Sequence, residues 1–118
     1  MKEQLVDKII TTISISTWVY YWEPLKEVLE KIANAGYLNV EIWADKAHLD
    51  PTIAPDILMV KNLFRNLSLQ VHSLHAPFSG VNVAALDEEY RKCSLSLIKK
   101  SIEFCSELEG KIVIVHPN

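Results

Sequence analysis

Four β-branched runs, separated by three amphipathic ones, limit what this chain can become. The strand-like runs are "IITTISIST" (Ile9 to Thr17), "NVEIW" (Asn39 to Trp43), "LQVHSLHAP" (Leu69 to Pro77) and "KIVIVHP" (Lys111 to Pro117). Their β-branched content and period-two pattern predict strands. Between the first pair lies "EPLKEVLEKIANAGY". Pro24 sits in its first turn, Leu25, Val28, Leu29, Ile32 and Ala33 form one stripe, and Gly36 supplies a left-handed C-cap. "APDILMVKNLFRNLS" carries Ile57, Val60, Leu63, Phe64 and Leu67 at helical spacing behind Pro55 and Asp56. "LDEEYRKCSLSLIKKSIEFCSELEG" is the longest helix, with an acidic first turn that suits the helix dipole and Gly110 closing it. A short helical lead is expected from Lys2 to Lys8.

The order is therefore β-α-β-α-β-α-β, an α/β chain of parallel strands joined by right-handed crossovers. If the strands follow one another in space, every crossover helix falls on the same side of the sheet. The other side is then the interior of a (β/α)8 barrel, which four strands cannot close. An open sheet with helices on both faces is the rival, and it needs a reversal of strand order. Residues 1–118 are expected to form one domain. In a lone half-barrel the outer edges of the first and last strands are unpaired, and an uncovered apolar face invites association. The expectation is a homo-oligomer, most simply a two-fold dimer.

Composition narrows the classes. With 49% hydrophobic and 23% charged residues the chain has a globular profile. No apolar stretch approaches the roughly 20 residues that span a bilayer, and "MKEQLVDKII" has no apolar signal-peptide core. Cys93 and Cys105 fall on one helix at a separation of roughly 18 Å, far beyond disulfide reach. Free buried thiols and no targeting segment predict a cytoplasmic protein with no membrane partner. A net charge of −3 and no block of Lys or Arg weigh against nucleic acid as a partner.

Two strands end on histidine before proline, in "SLHAPFSG" and "VIVHPN". By alternation His75 shares a face with Ser73, Val71 and Leu69, whereas His72 and Leu74 oppose it. His72 is thus expected in the helix layer as a hydrogen-bonded core histidine. His116 shares a face with Ile114 and Ile112. Two inward imidazoles at the carboxyl ends of neighbouring strands converge where barrel enzymes place their chemistry, and they suit Zn²⁺ or Mn²⁺. Glu41, on the parity of Asn39 and Trp43, is expected to face the site, because a carboxylate inside a parallel strand is costly unless it is paired. His48, in the polar loop "DKAHLD", is expected to be solvated. Trp18, Tyr20, Tyr21 and Trp22 follow the first strand, where they either stack on a ligand or close the pocket as a lid, or else plug the barrel mouth or pack on the first helix. Glu88, Glu89, Glu103, Glu107 and Glu109 read as the solvated face of the longest helix.

The segment from Leu69 to the end resembles the third strand, third helix and fourth strand of the xylose isomerase-like TIM barrels. The carriers are "HAPF", the ending "VIVHPN", and an Asn-Val-Ala-Ala stretch before an acidic helix start with Arg91 in its second turn. "GYLNVEIW" resembles the second strand, with Glu41 on a glutamate common in the family. The superfamily holds sugar and sugar-phosphate isomerases and epimerases and the family 2 abasic-site endonucleases. The resemblance implies an N-terminal half-barrel that binds a sugar or sugar phosphate near a divalent metal (Zn²⁺, Mn²⁺ or Mg²⁺). Glu41, Trp18, Trp22, His75 and His116 are the implied substrate contacts, with His75 and His116 also candidate metal ligands. It further implies that the main metal carboxylates and the catalytic acid-base pair come from strands five to eight. The half-barrel would then need a C-terminal half to react, or would be a non-catalytic unit that self-associates. Half of an abasic-site endonuclease is the third reading. Asn118 stands where the family has glycine and is expected to take the left-handed turn at some cost.

Overall fold

The structure is a computed structural model and describes residues 1–117. In chain order it contains α1 (Lys2–Thr12), β1 (Ser14–Ser16), a 3-10 turn (Thr17–Tyr20), α2 (Leu25–Asn34), β2 (Asn39–Trp43), α3 (Ile57–Asn66), β3 (Gln70–His75), α4 (Glu88–Glu107) and β4 (Ile112–Ile114). The four strands are parallel and lie in the order β1-β2-β3-β4. Without a reversal, α2, α3 and α4 pack on one face. Val28, Leu29 and Ile32 of α2, Val60 and Phe64 of α3, and Phe104 and Cys105 of α4 meet Val40, Ile42 and Leu74 of the sheet in one core. The architecture is a half-barrel, and the open sheet covered on both faces is excluded.

Local chemistry explains the helix starts. Asp56 accepts a hydrogen bond from the Met59 N–H at 3.0 Å, and Asp87 accepts one from Tyr90 at 2.7 Å. Each satisfies a donor that the first helical turn leaves free. Gly36 takes the left-handed conformation after α2, with φ 91°. The glutamates of α4 and of the turn after it are solvated, as their spacing predicts.

Several expectations are corrected. The first strand does not span Ile9 to Thr17: residues up to Thr12 are helical and only Ser14–Ser16 pair. Its partner β2 begins at Asn39, opposite Ser14, so Ile9–Thr12 have no neighbouring strand among the described residues. The Thr11 and Thr12 hydroxyls bond back to the Lys8 carbonyl at 3.0 and 2.9 Å, a local helical alternative to a ladder. α1 buries none of its residues. A register irregularity where β3 pairs with Val40 and Glu41 breaks the alternation of β3. Val71 packs against the helix-side core and His72 is exposed, so His72 is no core histidine. Cys93 is exposed and only Cys105 is buried.

The inner face is not the apolar surface that was expected. Ser14, Ser16, Asn39, Glu41 and Ser73 make its lower layers polar, and Ile112 and Ile114 supply apolar surface on β4. The expectation for Asn118 lies outside the described residues.

Gly110 has a different role from the expected one. Glu109 takes the left-handed turn after α4, with φ 61°. Gly110 is required by close packing instead: a Cβ there would lie 2.6 Å from Cys105 Sγ and 3.2 Å from Val71 Cγ1. Gly110→Ala is expected to destabilise the fold by roughly 1–3 kcal/mol through overpacking. Cys105→Ala in the same chain should recover part of that loss. Urea denaturation of the four chains of this double-mutant cycle checks it, and strictly additive losses would refute the contact.

Candidate functional site

The carboxyl ends of the strands bring six side chains around one open cavity of about 330 Å³: Ser16, Trp18, Trp43, His75, Phe78 and His116. The ladder explains the convergence. Trp43 of β2 lies opposite His75 of β3, and His75 lies opposite Ile114 of β4. His116, two residues beyond Ile114, returns to the same face one layer higher.

The two imidazoles meet, with His75 Nε2 3.1 Å from His116 Nε2. His75 Nδ1 lies 2.9 Å from the Ala76 carbonyl oxygen, which can only accept, so Nδ1 carries the proton. The lone pair of His75 Nε2 then faces the cavity and accepts from His116 Nε2–H. Fixing one ring nitrogen on a carbonyl is how proteins orient a ligating histidine. Phe78 stacks on His116, with centroids 5.0 Å apart and planes 26° apart, and meets His75 edge-on at 5.6 Å.

An aromatic wall stands opposite. Trp18 meets Trp43 edge-to-face at 4.6 Å and stacks on Tyr21 at 4.8 Å. The Ser16 side chain accepts from the Trp18 N–H at 3.2 Å and caps the 3-10 turn that carries Trp18. Trp43 Nε1 is buried and has no hydrogen-bond partner among the described residues. Glu41 faces the same side one layer below, where Ser73 donates to its Oε2 at 2.9 Å. That hydroxyl compensates part of the cost of holding a half-buried carboxylate.

Of the residues singled out in the sequence, Trp18, His75 and His116 line the cavity and Glu41 lies beneath it. Trp22 does not line it: 64% exposed, it packs edge-on against Tyr20 and Tyr21. Ser16, Trp43 and Phe78 are the cavity residues that the reading of the sequence did not single out. Trp43 shares the parity of Glu41, and Phe78 stands inside "HAPF", so both signals were present. His48 departs furthest from expectation. It is buried, with Nδ1 2.8 Å from Thr17 Oγ1 and Nε2 2.9 Å from the Glu23 carbonyl oxygen. Burial lowers its pKa below the ordinary imidazole value, against the opposing pull of the Glu23 and Tyr20 backbone.

With the His116 proton moved from Nε2 to Nδ1, the two facing Nε2 atoms of His75 and His116 offer two nitrogen donors for a metal. Two nitrogens bound tetrahedrally to one Zn²⁺ at about 2.0–2.1 Å would stand about 3.3 Å apart, near the spacing here. No group of three or more His, Cys, Asp or Glu with metal-holding geometry exists among the described residues. The pair thus fits part of a metal site. No helix among the described residues is long and apolar enough to cross a membrane.

Known proteins are similar to this chain in sequence and fold. The chain is 33% identical over 104 residues to uncharacterized protein MJ1311 of Methanocaldococcus jannaschii, covering 87% of this chain and 34% of that protein. A solved D-tagatose 3-epimerase-like protein superposes with a TM-score of 0.75 at 31% identity, over 89% of this chain and 37% of its own. The 3-keto-D-glucoside 4-epimerase YcjR from E. coli superposes with a TM-score of 0.69 at 21% identity, over 91% and 38%, a likeness of fold. The chain thus spans about a third of the length of these relatives. The family model described as xylose isomerase-like TIM barrel matches residues 29–118, the segment that builds β2 to β4 and most of the cavity, and the chain belongs to that family.

Proposed function

We propose that this chain forms the sugar-recognising N-terminal part of a divalent-metal-dependent sugar or sugar-phosphate isomerase or epimerase. The observation that carries the reading is the imidazole pair, with Nε2 atoms 3.1 Å apart in an aromatic-walled cavity at the carboxyl ends of parallel strands. Aromatic faces suit the apolar C–H surface of a sugar ring, while imidazole nitrogens suit its hydroxyls. The epimerase-like neighbour at 31% identity supports a ketose as the ligand class. His75 and His116 would hold the cation, which when bound supplies polarisation of a hydroxy-carbonyl unit. His75 Nδ1–H on the Ala76 carbonyl keeps the ring oriented, Phe78 packs against both rings of the pair, and Glu41 is a substrate contact from below. Trp22 contributes from the rim.

Moving a proton between carbons needs a placed acid-base pair, so the 118-residue chain by itself is proposed to bind without turning substrate over. The free outer edges of β1 and β4 favour association, with a second copy or with a C-terminal half, as the way to complete the site. The endonuclease reading has less support, because a net charge of −3 opposes a phosphodiester backbone.

Titration with D-tagatose, with and without Mn²⁺, followed by tryptophan indole NMR signals, tests the reading. Perturbation of Trp18 and Trp43 is expected. His75→Ala and His116→Ala are each expected to weaken binding about five- to tenfold, the worth of roughly one hydrogen bond. Indole signals that stay still at saturating ketose and metal would refute it.

A further inference from the structure

We propose that His48 is a positioning residue for the cavity, a neutral imidazole that staples both ends of the aromatic loop and releases that loop when it is protonated. The proposal goes beyond the sugar reading and stands whatever ligand the cavity takes.

The loop runs from Thr17 to Glu23, between β1 and α2, and carries Trp18 and Tyr21 of the aromatic wall. His48 belongs to a different connection, the one between β2 and α3. Its two ring nitrogens reach the two ends of the loop, Thr17 Oγ1 at 2.8 Å and the Glu23 carbonyl oxygen at 2.9 Å. The same Thr17 Oγ1 accepts from the Trp43 N–H at 2.9 Å, which ties the loop to the end of β2. The His48 ring also meets Trp43 edge-on at 5.8 Å. One imidazole therefore touches the loop that holds Trp18 and the residue against which Trp18 packs.

Hydrogen-bond bookkeeping fixes the tautomer of the neutral ring. The Glu23 carbonyl can only accept, so Nε2 carries a proton. A neutral ring has one proton, so Nδ1 is an acceptor and takes the Thr17 hydroxyl proton. Thr17 is fully buried, and its oxygen already accepts from Trp43. A second ring proton, on Nδ1, would displace the Thr17 hydroxyl proton from its partner at a place that water does not reach. The remaining lone pair of Thr17 Oγ1 would accept the new Nδ1–H, so the charged ring is penalised by the buried hydroxyl proton left without its partner and by burial of the charge.

The charged groups around the ring do not offset this. Glu23 turns its carboxylate to Lys31, at 2.6 Å, and Lys31 also lies over the Tyr20 ring at 4.3 Å. Asp45 receives the His48 backbone N–H on its carbonyl. Lys26 of α2, Lys46 and Asp50 of the His48 loop, and Asp56 at the start of α3 line the neighbouring cleft. Among the described residues none of these side chains bonds the ring, and both ring nitrogens are already engaged.

The sign follows. The folded chain holds His48 below the ordinary value of about 6.5, so on acidification the unfolded chain takes up the proton first. This contribution to stability is complete above about pH 6.5 and is lost as the pH falls through the folded value.

The test is near-UV circular dichroism of the tryptophans from about pH 8 to about pH 5. The 118-residue chain is expected to lose most of its tryptophan signal on acidification, and His48→Gln, a neutral isostere able to bridge the same two groups, is expected to keep it. An unchanged transition in His48→Gln would assign the effect to another group and overturn the proposal, as would a flat profile in the unmodified chain. Imidazole ¹⁵N shifts of the unmodified chain decide the matter if the variant does not fold. Nδ1 of His48 is expected unprotonated at neutral pH, with a midpoint below about 6.5. A proton on Nδ1, or a midpoint at or above that value, refutes the staple.

Discussion

Trp43→Ala is expected to lower stability by about 3 kcal/mol and to remove the cavity's aromatic wall. Trp43 is the hub of that wall: Trp18, Tyr21 and His48 all meet its ring edge-to-face, at 4.6, 6.2 and 5.8 Å. Removing the ring leaves Trp18 without its backing and opens the His48 side of the loop to water. Trp43→Phe should cost far less, within about 1.5 kcal/mol, because Phe keeps most of the packing and removes a buried indole N–H that has no partner among the described residues. Urea denaturation with near-UV circular dichroism separates the two effects. An alanine variant that loses less than about 1 kcal/mol and keeps its tryptophan signal would show that the wall does not depend on Trp43.

Leu74→Ala is expected to cost about 2–5 kcal/mol, and His72→Ala, two residues away, less than about 0.5 kcal/mol. Leu74 is fully buried in a central strand and faces the helix layer with Val40 and Ile42. Strict alternation would put His72 in that layer too. The irregularity opposite Val40 and Glu41 turns Val71 to the helices and His72 to solvent. The pair of variants therefore reads out the strand register directly. Comparable losses at both positions would mean that β3 alternates without interruption.

Much of the half-barrel was legible because its signals are local. The stripe Leu25, Val28, Leu29 and Ile32, the left-handed cap at Gly36, and the period of "NVEIW" each depend on residues a few positions away. His75 and His116 were legible as a pair because alternation within two strands, plus adjacency of those strands, is enough to bring them together. The start of β1 was not legible. Ile9–Thr12 have strand-like side chains, but whether they pair depends on where β2 begins, thirty residues on. His48 was misread for a related reason. A polar loop sequence says nothing of the Thr17 hydroxyl and the Glu23 carbonyl that another loop presents to it.

The sequence by itself determined the order of strands and helices, though not where β1 begins, that the strands run parallel, and which face of each regular strand looks inward. Periodicity and capping are short-range physics, written in neighbouring residues. Only the tertiary structure decided the β3 irregularity, the need for glycine at Gly110, the place of Trp43 at the centre of the wall, and the burial of His48. Each of these depends on an atom far along the chain arriving within a few ångströms, and the free energy that selects that arrival belongs to the packed whole.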